Sequence, residues 1–292
     1  MTAIKEEAYA KINLFLDVCA KREDGFHEIK TIMHTVSLSD EITVSYTPSD
    51  KRSVRLKVVG NPYLPTDSRN LAVMAAQKYM EASCMSGNID ITLKKRIPIA
   101  AGLAGGSSDA AAVLRAINKI NKKKLTDKLM LKLAATLGSD VPYCYLGKTA
   151  LCFGRGEQML RLNDIKGHFV IAIGNEHIST PMAYSALDEK YSDFDGSVTK
   201  PGDALYNIAL DEINRGQIVT NGAFNVFESV VLPMCPIATV LKGELLDLGA
   251  TVAMMSGSGP SVFGIFRDES SAKYAEQRLT SLGYSAHYAH SV

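Results

Sequence analysis

The sequence has no excess of charge of either sign, and it lacks tryptophan, long apolar runs and paired cysteine motifs. Its 292 residues carry 32 basic and 31 acidic side chains. Because these charges nearly cancel, bulk electrostatics gives no reason to expect nucleic acid or an anionic membrane as a partner. Any anionic ligand must therefore be held by groups at a local site.

The cysteines are odd in number and show no C-x-x-C spacing, which argues against a disulfide framework and against structural zinc. We interpret all five as reduced residues of the core: Cys19, Cys84, Cys144, Cys152 and Cys235. No pair of histidines has the spacing of metal ligands, so His34 and His168 are interpreted as structural residues.

No apolar run reaches membrane-spanning length, and the N-terminal stretch MTAIKEEAYA lacks the zones of a signal peptide. The sequence therefore predicts a soluble, cytoplasmic protein. Its length suggests roughly two domains, which we divide into residues 1–160 and residues 161–292. The best candidate for a loop is the stretch around Gly196 and Pro201.

The first half of the chain reads as strands interrupted by a helix. Residues 8–18 alternate strictly, which predicts a strand with one apolar face and a second face that carries polar side chains. Further strands are predicted at residues 29–36, 41–46, 54–59 and 89–93, with a helix near residues 70–82. An amphipathic helix follows, capped by Ser107 or Ser108, and another runs from Thr126 to Gly138.

The second half predicts a strand at residues 168–174 and several helices between residues 181 and 248. These are followed by strands at 250–255 and 261–267, a helix at 269–282 and a strand at 285–290. This β, α, β, β, α, β order is typical of a split βαβ, ferredoxin-like domain.

Three glycine-rich segments are candidate phosphate-binding loops: residues 98–108 (PIAAGLAGGSS), 152–157 (CFGRGE) and 254–266 (MMSGSGPSVFGIF). The first opens a helix, whose N-terminal N–H groups and dipole favour phosphate. It matches neither common nucleotide loop, because Ala104 breaks G-x-G-x-x-G and no lysine follows Gly105 and Gly106. From the residues alone, a phosphate site and an ordinary tight turn before a helix are about equally supported.

Two charged residues also have two interpretations each. Asp140, in LGSDVPYC, is either the N-cap of the next helix or a functional carboxylate, and capping is the commoner role of an isolated aspartate. Lys11 is either a solvated lysine on a strand or a functional cation.

The order of these segments resembles the GHMP kinase superfamily. The resemblance rests on A-K-I-N-L in the first strand, P-x-x-x-G-L-x-G-G-S-S before a helix, G-S-D-V-P and a late S-G-S-G-P hairpin, and it spans residues 8–266. Within the superfamily, AYAKINLFLDVCAKREDGFHEI and GLAGGSSDAAA are most similar to the 4-diphosphocytidyl-2-C-methyl-D-erythritol kinases of non-mevalonate isoprenoid precursor synthesis. The resemblance implies an α+β, two-domain GHMP kinase fold. Its N-terminal domain would be a ribosomal-protein-S5-like mixed domain, and its C-terminal domain a ferredoxin-like split βαβ domain that completes the substrate site.

The resemblance implies ATP with Mg²⁺ as cofactors, the phosphates being wrapped by the loop that opens the helix. The residues that it places at the nucleotide are Asn70, Lys95, Pro98, Gly102, Leu103, Ala104, Gly105, Gly106, Ser107 and Ser108. The hydroxyl of Ser107 is implied to lie near Mg²⁺. The family usually has a third glycine where this chain has Ala104, which reduces the freedom of the backbone.

For catalysis, the resemblance implies that Asp140 accepts the proton of the substrate's 2-hydroxyl, with Lys11 as the cation beside it. It places Asn13 and Asp140 at the substrate, Thr180 near the methylerythritol hydroxyls, Phe26 and Tyr184 as a stacking pair for cytosine, and His27 at the polar edge of the base. Phe26 stands where the family often has tyrosine. The alternative interpretation makes both aromatic residues part of the core and His27 a turn residue.

Two other functions remain open. Another GHMP small-molecule kinase, of the homoserine or mevalonate type, would share the loops and lack the DGFH segment. A non-catalytic ligand sensor would be indicated by loss of Asp140 or Lys11, and both are present. We expect a small-molecule substrate, with neither nucleic acid nor membrane as a partner, and either a monomer or a homodimer.

Overall fold

The computed structural model describes residues 2–191 and 201–292. Of the loop predicted around Gly196 and Pro201, residues 192–200 lie outside the described residues, and Pro201 begins a helix instead of continuing a loop. The chain folds into two compact units, each built from several stretches. Unit 1 comprises Met1–Ala10, Ser39–Ile99 and Ala104–Gly147, and unit 2 comprises Lys11–Leu38, Ala100–Leu103 and Lys148–Val292. The division into domains of residues 1–160 and 161–292 follows the order of the chain and stays a prediction.

Unit 1 contains a mixed sheet in the order β3-β4-β2-β1. These strands are β1 (Thr2–Lys21), β2 (His27–Thr47), β3 (Arg52–Val59) and β4 (Gly87–Lys94). Strand β3 pairs with β4 in parallel, and β4 pairs antiparallel with the last residues of β2. The two strands predicted at 29–36 and 41–46 are thus one strand, because the buried residues between them, Ser39 and Asp40, keep the extended conformation.

Four helices complete unit 1: α1 (Leu71–Ala82), α2 (Gly105–Ile120), α3 (Asp127–Ala135) and α4 (Val141–Leu146). The run of alanines in α2 is fully buried, and such small side chains let neighbouring helices approach closely while the larger residues of the sheet fill the core. Ile42, Tyr79 and Leu114 belong to this core cluster.

Unit 2 contains the other halves of β1 and β2 and a second sheet. Residues of β2 pair with β5 (Thr149–Phe153), β5 pairs with β6 (Gln158–Arg161), and β1 pairs in parallel with β8 (Phe224–Asn225). The second sheet is antiparallel, in the order β11-β7-β10-β9. Its strands are β7 (His168–Ile173), β9 (Val252–Met255), β10 (Val262–Phe266) and β11 (Ser285–His290).

The helices of unit 2 are α5 (Thr180–Lys190), α6 (Pro201–Asn214), α7 (Glu228–Val231), α8 (Pro236–Asp247) and α9 (Glu269–Ser281), with a 3-10 turn at Leu232–Met234. Helix α9 connects β10 to β11. The β, α, β, β, α, β order and the antiparallel sheet confirm the predicted ferredoxin-like arrangement. The core cluster of this unit includes Val170, Phe227 and Leu241.

The second face of β1 is polar but not solvated, since Lys11, Asn13 and Asp17 are at most 5% exposed. The expectation that all five cysteines lie in the core is wrong, because only Cys152 and Cys235 are buried, while Cys84 is exposed. Sequence alternation identifies the two faces of a strand but not what covers the second one.

No single helix within the described ranges is long and apolar enough to cross a membrane. One pair of consecutive helices, Glu228–Met234 and Pro236–Asp247, is long and apolar enough only when the two are counted as one segment, and they meet at a bend of 109°.

Candidate active site

The glycine-rich segment of residues 98–108 passes from unit 1 into unit 2 and back into unit 1. Ala100–Leu103 belongs to unit 2, while Pro98 and the residues from Ala104 onward belong to unit 1. The two parts make different contacts.

In unit 2, Gly102 packs directly against the late S-G-S-G-P segment. Gly102 has a φ of 76°, and a Cβ atom added there would lie 2.0 Å from the carbonyl oxygen of Ser256. Ser256 Oγ donates to the carbonyl of Gly102 at 3.1 Å, and Ser261 Oγ donates to the carbonyl of Ala101. Only glycine combines this positive φ with so close a backbone approach. Two of the three predicted glycine loops are therefore fixed against each other.

Two side chains of the N-V-F-E stretch hold the S-G-S-G-P segment in place. The amide of Asn225 donates to the carbonyls of Met255 and Gly257 at 2.8 and 2.9 Å. Glu228 accepts from the backbone N–H of Met255 at 2.8 Å, and Lys242 donates to the same carboxylate. Buried backbone groups that are not paired in a sheet need such partners, so these residues determine the conformation of the loop.

Helix α2 in unit 1 has no side-chain cap within the part of the chain that the structure describes. Its N-cap residue is Ala104, with φ 56° and ψ 29°, so the predicted cap by Ser107 or Ser108 is wrong. Ser108 lies in the first turn, where its buried hydroxyl donates to the carbonyl of Tyr9 at 2.6 Å. The first backbone N–H groups and the helix dipole therefore favour an anion at this end.

The two glycines of the first turn of α2 differ in the room around them. A Cβ atom on Gly105 would lie 2.9 Å from Lys95 Nζ and 3.1 Å from a methyl group of Ile97. A Cβ atom on Gly106, which is exposed, would meet Leu71 at 3.7 Å, an ordinary contact. The open space at the helix N-terminus is therefore at Gly106, where a side chain would fill it.

Lys95 lies between two buried carboxylates in unit 1. Its Nζ is 2.6 Å from Asp40 Oδ2 and 2.8 Å from Asp109 Oδ2, and all three side chains are almost inaccessible. Burial raises the pKa of Asp109 to about 7, a rise that Lys95 opposes and Asp40 increases. Lys95 is thus part of an ion-pair network beneath Gly105.

Asn70 is engaged in capping helix α1. Its Oδ1 accepts from the N–H of Ala72 at 3.0 Å, and its amide donates to the carbonyl of Pro65 at 2.9 Å. These bonds account for the conformation of the turn before α1. A contact between Asn70 and a nucleotide stays a prediction.

Lys11 is buried in a polar row on strands β1 and β2 of unit 2. Its ammonium donates to Asn13 Oδ1 at 2.6 Å, the Asn13 amide donates to the hydroxyl of Thr31 at 2.8 Å, and Thr31 donates to the carbonyl of Phe15. The interpretation of Lys11 as a solvated strand lysine is therefore wrong. A Cβ atom added to Gly257 would lie 3.3 Å from Lys11 Nζ, which places the ammonium beside the S-G-S-G-P segment.

Asp140 directly precedes α4 in unit 1, but its side chain does not cap that helix. Its backbone is helical, with φ −82° and ψ −14°, whereas the backbone of a residue whose side chain caps a helix is typically extended. The capping interpretation of the carboxylate is therefore wrong, although Asp140 does occupy the N-cap position.

Thr180 begins α5 next to the S-G-S-G-P segment. Its Oγ1 lies 3.0 Å from the hydroxyl of Ser258. Ser179 caps the helix by accepting from the N–H of Met182, which fixes the position of Thr180. Thr180 and Lys11 thus contact the same short segment of unit 2.

The tip of the β1–β2 hairpin carries Phe26 and His27. Phe26 is 51% exposed, so it is not a core aromatic, and the Arg155 guanidinium lies 4.7 Å from its ring centroid. The His27 ring stacks on Tyr184 with centroids 4.6 Å apart, and its Nε2 lies 2.6 Å from Asp188 Oδ1. His27 is therefore held from two sides and is not an ordinary turn residue.

Comparison with known proteins agrees with these features. The models for the GHMP kinases N-terminal domain and the GHMP kinases C-terminal domain match residues 70–148 and 205–285. A protein of Clostridium botulinum (strain Alaska E43 / Type E3) named 4-diphosphocytidyl-2-C-methyl-D-erythritol kinase is 39% identical over 274 residues, which cover 94% of each chain. The chain belongs to the GHMP kinases.

Solved structures agree with this family. A crystal structure of 4-(cytidine 5'-diphospho)-2C-methyl-D-erythritol kinase matches the GHMP kinase described here with a TM-score of 0.82 and 32% identity, covering 98% of both chains. A homoserine kinase from Cytophaga hutchinsonii matches with a TM-score of 0.75 and 19% identity, covering 100% of this chain and 95% of its own. The second match shows the shared fold alone. Family membership identifies the protein as an ATP-dependent kinase.

The predicted site residues of this GHMP kinase divide between the two units. Those of unit 1 are Asn70, Lys95, Pro98, Ala104, Gly105, Gly106, Ser107, Ser108 and Asp140. Those of unit 2 are Lys11, Asn13, Phe26, His27, Gly102, Leu103, Thr180 and Tyr184. Within unit 2, Lys11 donates its backbone N–H to the carbonyl of Leu103 at 3.2 Å, so the first strand and the glycine segment are in direct contact.

Sequence reasoning missed four polar residues of this kinase. Asp188 lies four positions after Tyr184, a spacing that places both on one face of a helix and was available as a signal. Asn225 and Glu228 have the N-x-x-E spacing that often precedes a helix. Thr31 carried no signal, because its bond to Asn13 joins residues 18 positions apart.

Among the described residues of the kinase, no three His, Cys, Asp or Glu side chains are grouped so that they could hold a metal ion. A kinase needs no such group for Mg²⁺, which keeps several waters and is bound by one or two protein ligands together with substrate phosphates. The half-buried hydroxyl of Ser107, in the first turn of α2, is a suitable oxygen ligand.

Proposed function

We propose that this GHMP kinase transfers the γ-phosphoryl group of ATP to the 2-hydroxyl of 4-diphosphocytidyl-2-C-methyl-D-erythritol. The observation that carries the proposal is the arrangement of His27 in the DGFH segment, stacked on Tyr184 and hydrogen-bonded to Asp188. A cytosine ring needs aromatic faces and a polar group at its edge, and this hairpin tip offers both. Relatives of that name at 39% identity over 94% of the chain give the proposal further support.

For the nucleotide, we assign the N-terminus of α2 as the site of the ATP phosphates. The uncapped first turn and the open space at Gly106 suit a phosphate group. Mg²⁺ would be held by the phosphates and Ser107, where it would neutralise phosphate charge. The close contact between Gly102 and Ser256 gives this loop a fixed conformation before ligand arrives.

For the chemical step, Asp140 accepts the proton of the 2-hydroxyl while the oxygen attacks the γ-phosphorus. A phosphorus–oxygen bond forms to the substrate, the bond to ADP breaks, and the proton remains on the Asp140 carboxylate. Lys11, held by Asn13, supplies positive charge that favours the alkoxide character of the attacking oxygen. Thr180 binds hydroxyl groups of the methylerythritol moiety.

Two other functions are weighed against this proposal. Homoserine and mevalonate kinases share the fold, so the fold does not discriminate among substrates. A ligand sensor of the same fold would bind without turnover. The presence of both Asp140 and Lys11, neither of which serves the ordinary structural role considered for it, favours a catalyst.

The test measures ADP release with ATP and Mg²⁺ in the presence of the cytidylyl substrate, homoserine or mevalonate at matched concentrations. We expect turnover with the cytidylyl substrate at least a hundredfold above the other two, and ³¹P NMR of the product should place the new phosphate on the 2-hydroxyl. Turnover with homoserine or mevalonate instead would assign another kinase activity. Binding of the cytidylyl substrate without ADP release would assign a sensor.

A further inference from the structure

Three polar side chains from three elements of unit 2 meet at the hairpin tip. His27 begins β2, Lys21 ends β1, and Asp188 lies on α5. The Asp188 carboxylate uses a different oxygen for each neighbour: Oδ1 is 2.6 Å from His27 Nε2, and Oδ2 accepts from Lys21 Nζ at 2.6 Å. The carboxylate therefore has a defined orientation when it meets the imidazole.

Helix α5 contacts His27 through two residues one turn apart. Tyr184 stacks on the ring face, and Asp188, four positions later, binds the ring edge. Together they restrict the tilt of the imidazole and its rotation about its own axis. The imidazole is about nine-tenths buried, whereas Lys21 is mostly exposed.

The orientation of the ring also determines its hydrogen-bonding pattern. A neutral imidazole has one N–H donor and one acceptor nitrogen. A carboxylate only accepts, so Asp188 favours the form in which Nε2 carries the hydrogen. Nδ1 is then an acceptor, and none of the described residues hydrogen-bonds to it.

We propose that Asp188 is a positioning residue that holds His27 in the Nε2–H form, so that Nδ1 selects the exocyclic amine of cytosine over the carbonyl oxygen of uracil. The proposal rests on the proposed function, because it assigns the base of that substrate to His27. An amine donates to Nδ1, whereas a carbonyl oxygen at the same place would face a second acceptor. A site built to accept a hydrogen bond discriminates strongly against a ligand that lacks the donor.

Lys21 strengthens this arrangement indirectly. Its ion pair is largely exposed and is therefore worth little by itself, but it orients the second oxygen of the carboxylate. Partial burial works against the charge of Asp188, while hydrogen bonds from Lys21 and His27 favour it, and the net effect is a lowered pKa for this carboxyl. Asp188 therefore stays an acceptor at neutral pH.

The principal test compares Asp188→Ala with wild type, using the cytidylyl substrate and its uridylyl analogue, which differs only in the base. The kcat/KM for the cytidylyl substrate, divided by that for the uridylyl analogue, should fall at least tenfold in Asp188→Ala. The fall should come from a higher KM for the cytidylyl substrate, while the KM for ATP stays within about twofold. Glu189→Ala is the matched control, because it removes an exposed carboxylate from the next position of the same helix. It should keep the wild-type ratio.

A second readout follows the imidazole itself without any ligand. At pH 8, ¹⁵N NMR distinguishes the protonated from the unprotonated ring nitrogen of His27. Wild type should show Nε2–H, and Asp188→Ala should show a mixture of both forms. Asp188→Asn keeps an oxygen acceptor of the same size, so it should recover part of the substrate ratio lost in Asp188→Ala.

Two results overturn the proposal: an unchanged substrate ratio in Asp188→Ala, or a lost ratio with the His27 tautomer unchanged from wild type. If Asp188→Ala does not fold, Asp188→Leu carries the same readouts, because leucine keeps bulk and helix propensity. Failure of wild type to phosphorylate the cytidylyl substrate would reject the proposed function. The ligand-free NMR measurement would still decide whether Asp188 sets the tautomer.

Discussion

Lys11 and Asp140 are the two charged side chains on which the proposed phosphoryl transfer depends. A buried ammonium is costly unless it is hydrogen-bonded, and Asn13, itself bonded to Thr31, provides that partner for Lys11. Asp140 occupies the N-cap position of α4 without capping it. The position of each residue is thus set by the element that carries it.

Asp140→Asn tests the proposed base. The amide has the same size, so the fold and the affinity for ATP should be retained, while turnover falls by roughly two to four orders of magnitude, the usual contribution of a general base. Single-turnover kinetics and nucleotide binding would be measured together. Asp127→Asn, at an exposed position of α3 in the same unit, is the control. Near wild-type turnover in Asp140→Asn would remove this residue from the mechanism.

His27→Ala tests the base pocket. It removes both the polar edge and the ring that stacks on Tyr184, so binding of the cytidylyl substrate should weaken by roughly 1–3 kcal/mol. Binding of ATP should stay nearly constant. Calorimetry with each ligand separately measures both, and equal weakening of the two would show that the cytidine pocket is misplaced.

At the scale of elements, the start of helix α2 combines features that a purely structural turn does not require. Gly102 is needed for the packing against Ser256, whereas Gly106 faces open space and has no such packing reason. Ala104 adopts a left-handed conformation without the help of glycine, which costs of order 1 kcal/mol.

Gly106→Val tests the phosphate site at this element. The branched side chain would fill the space beside the first N–H groups of α2, so the KM for ATP should rise at least tenfold, while the melting temperature changes little more than in the control. Gly243→Val in α8, a second helical glycine with open space around its Cβ position, is the matched control. An unchanged KM for ATP in a folded Gly106→Val protein would favour an ordinary helix start over a phosphate site.

The sequence predicts the positions of helices and strands far better than it predicts which distant residues contact each other. Strand β11 was predicted with its observed bounds, because alternation and the preceding helix are both local signals. The contact of His27 with Asp188 spans 161 positions, and the burial of Lys11 depends on distant segments such as residues 256–260. Of the site, the glycine loops and charged residues were visible in the sequence, but the partners that orient them were not, since tertiary packing decides them.

At the scale of the whole molecule, His34 links distant parts of unit 2. Its ring nitrogens lie 2.9 Å from the hydroxyl of Thr149 and 2.8 Å from that of Ser291. Its pKa is lowered to about 4, mainly by burial, a change that Asp164 opposes and Lys148 increases. The folded protein therefore prefers the neutral ring at a pH where the unfolded chain binds a proton.

This preference predicts that the protein is less stable in mild acid. The contribution of His34 is fully present above pH 6.5 and is lost as the pH falls towards 4, about 2 kcal/mol of it between pH 7 and pH 5. The free energy of unfolding in urea should drop by that much more in wild type than in His34→Gln. Equal drops in the two proteins would show that His34 titrates in the fold as it does in the unfolded chain.

The packing of Gly102 against Ser256 has a consequence for the order of synthesis. The glycine segment leaves the ribosome more than 150 residues before the serines that fix it. A nascent chain that ends before residue 250 therefore has the first turn of α2 but not the segment that immobilises the preceding turn. Nucleotide affinity should thus be gained late, after strands β9 and β10 have emerged, and a released chain truncated at residue 250 would differ from the full chain in ATP retention although both contain every residue of the phosphate loop.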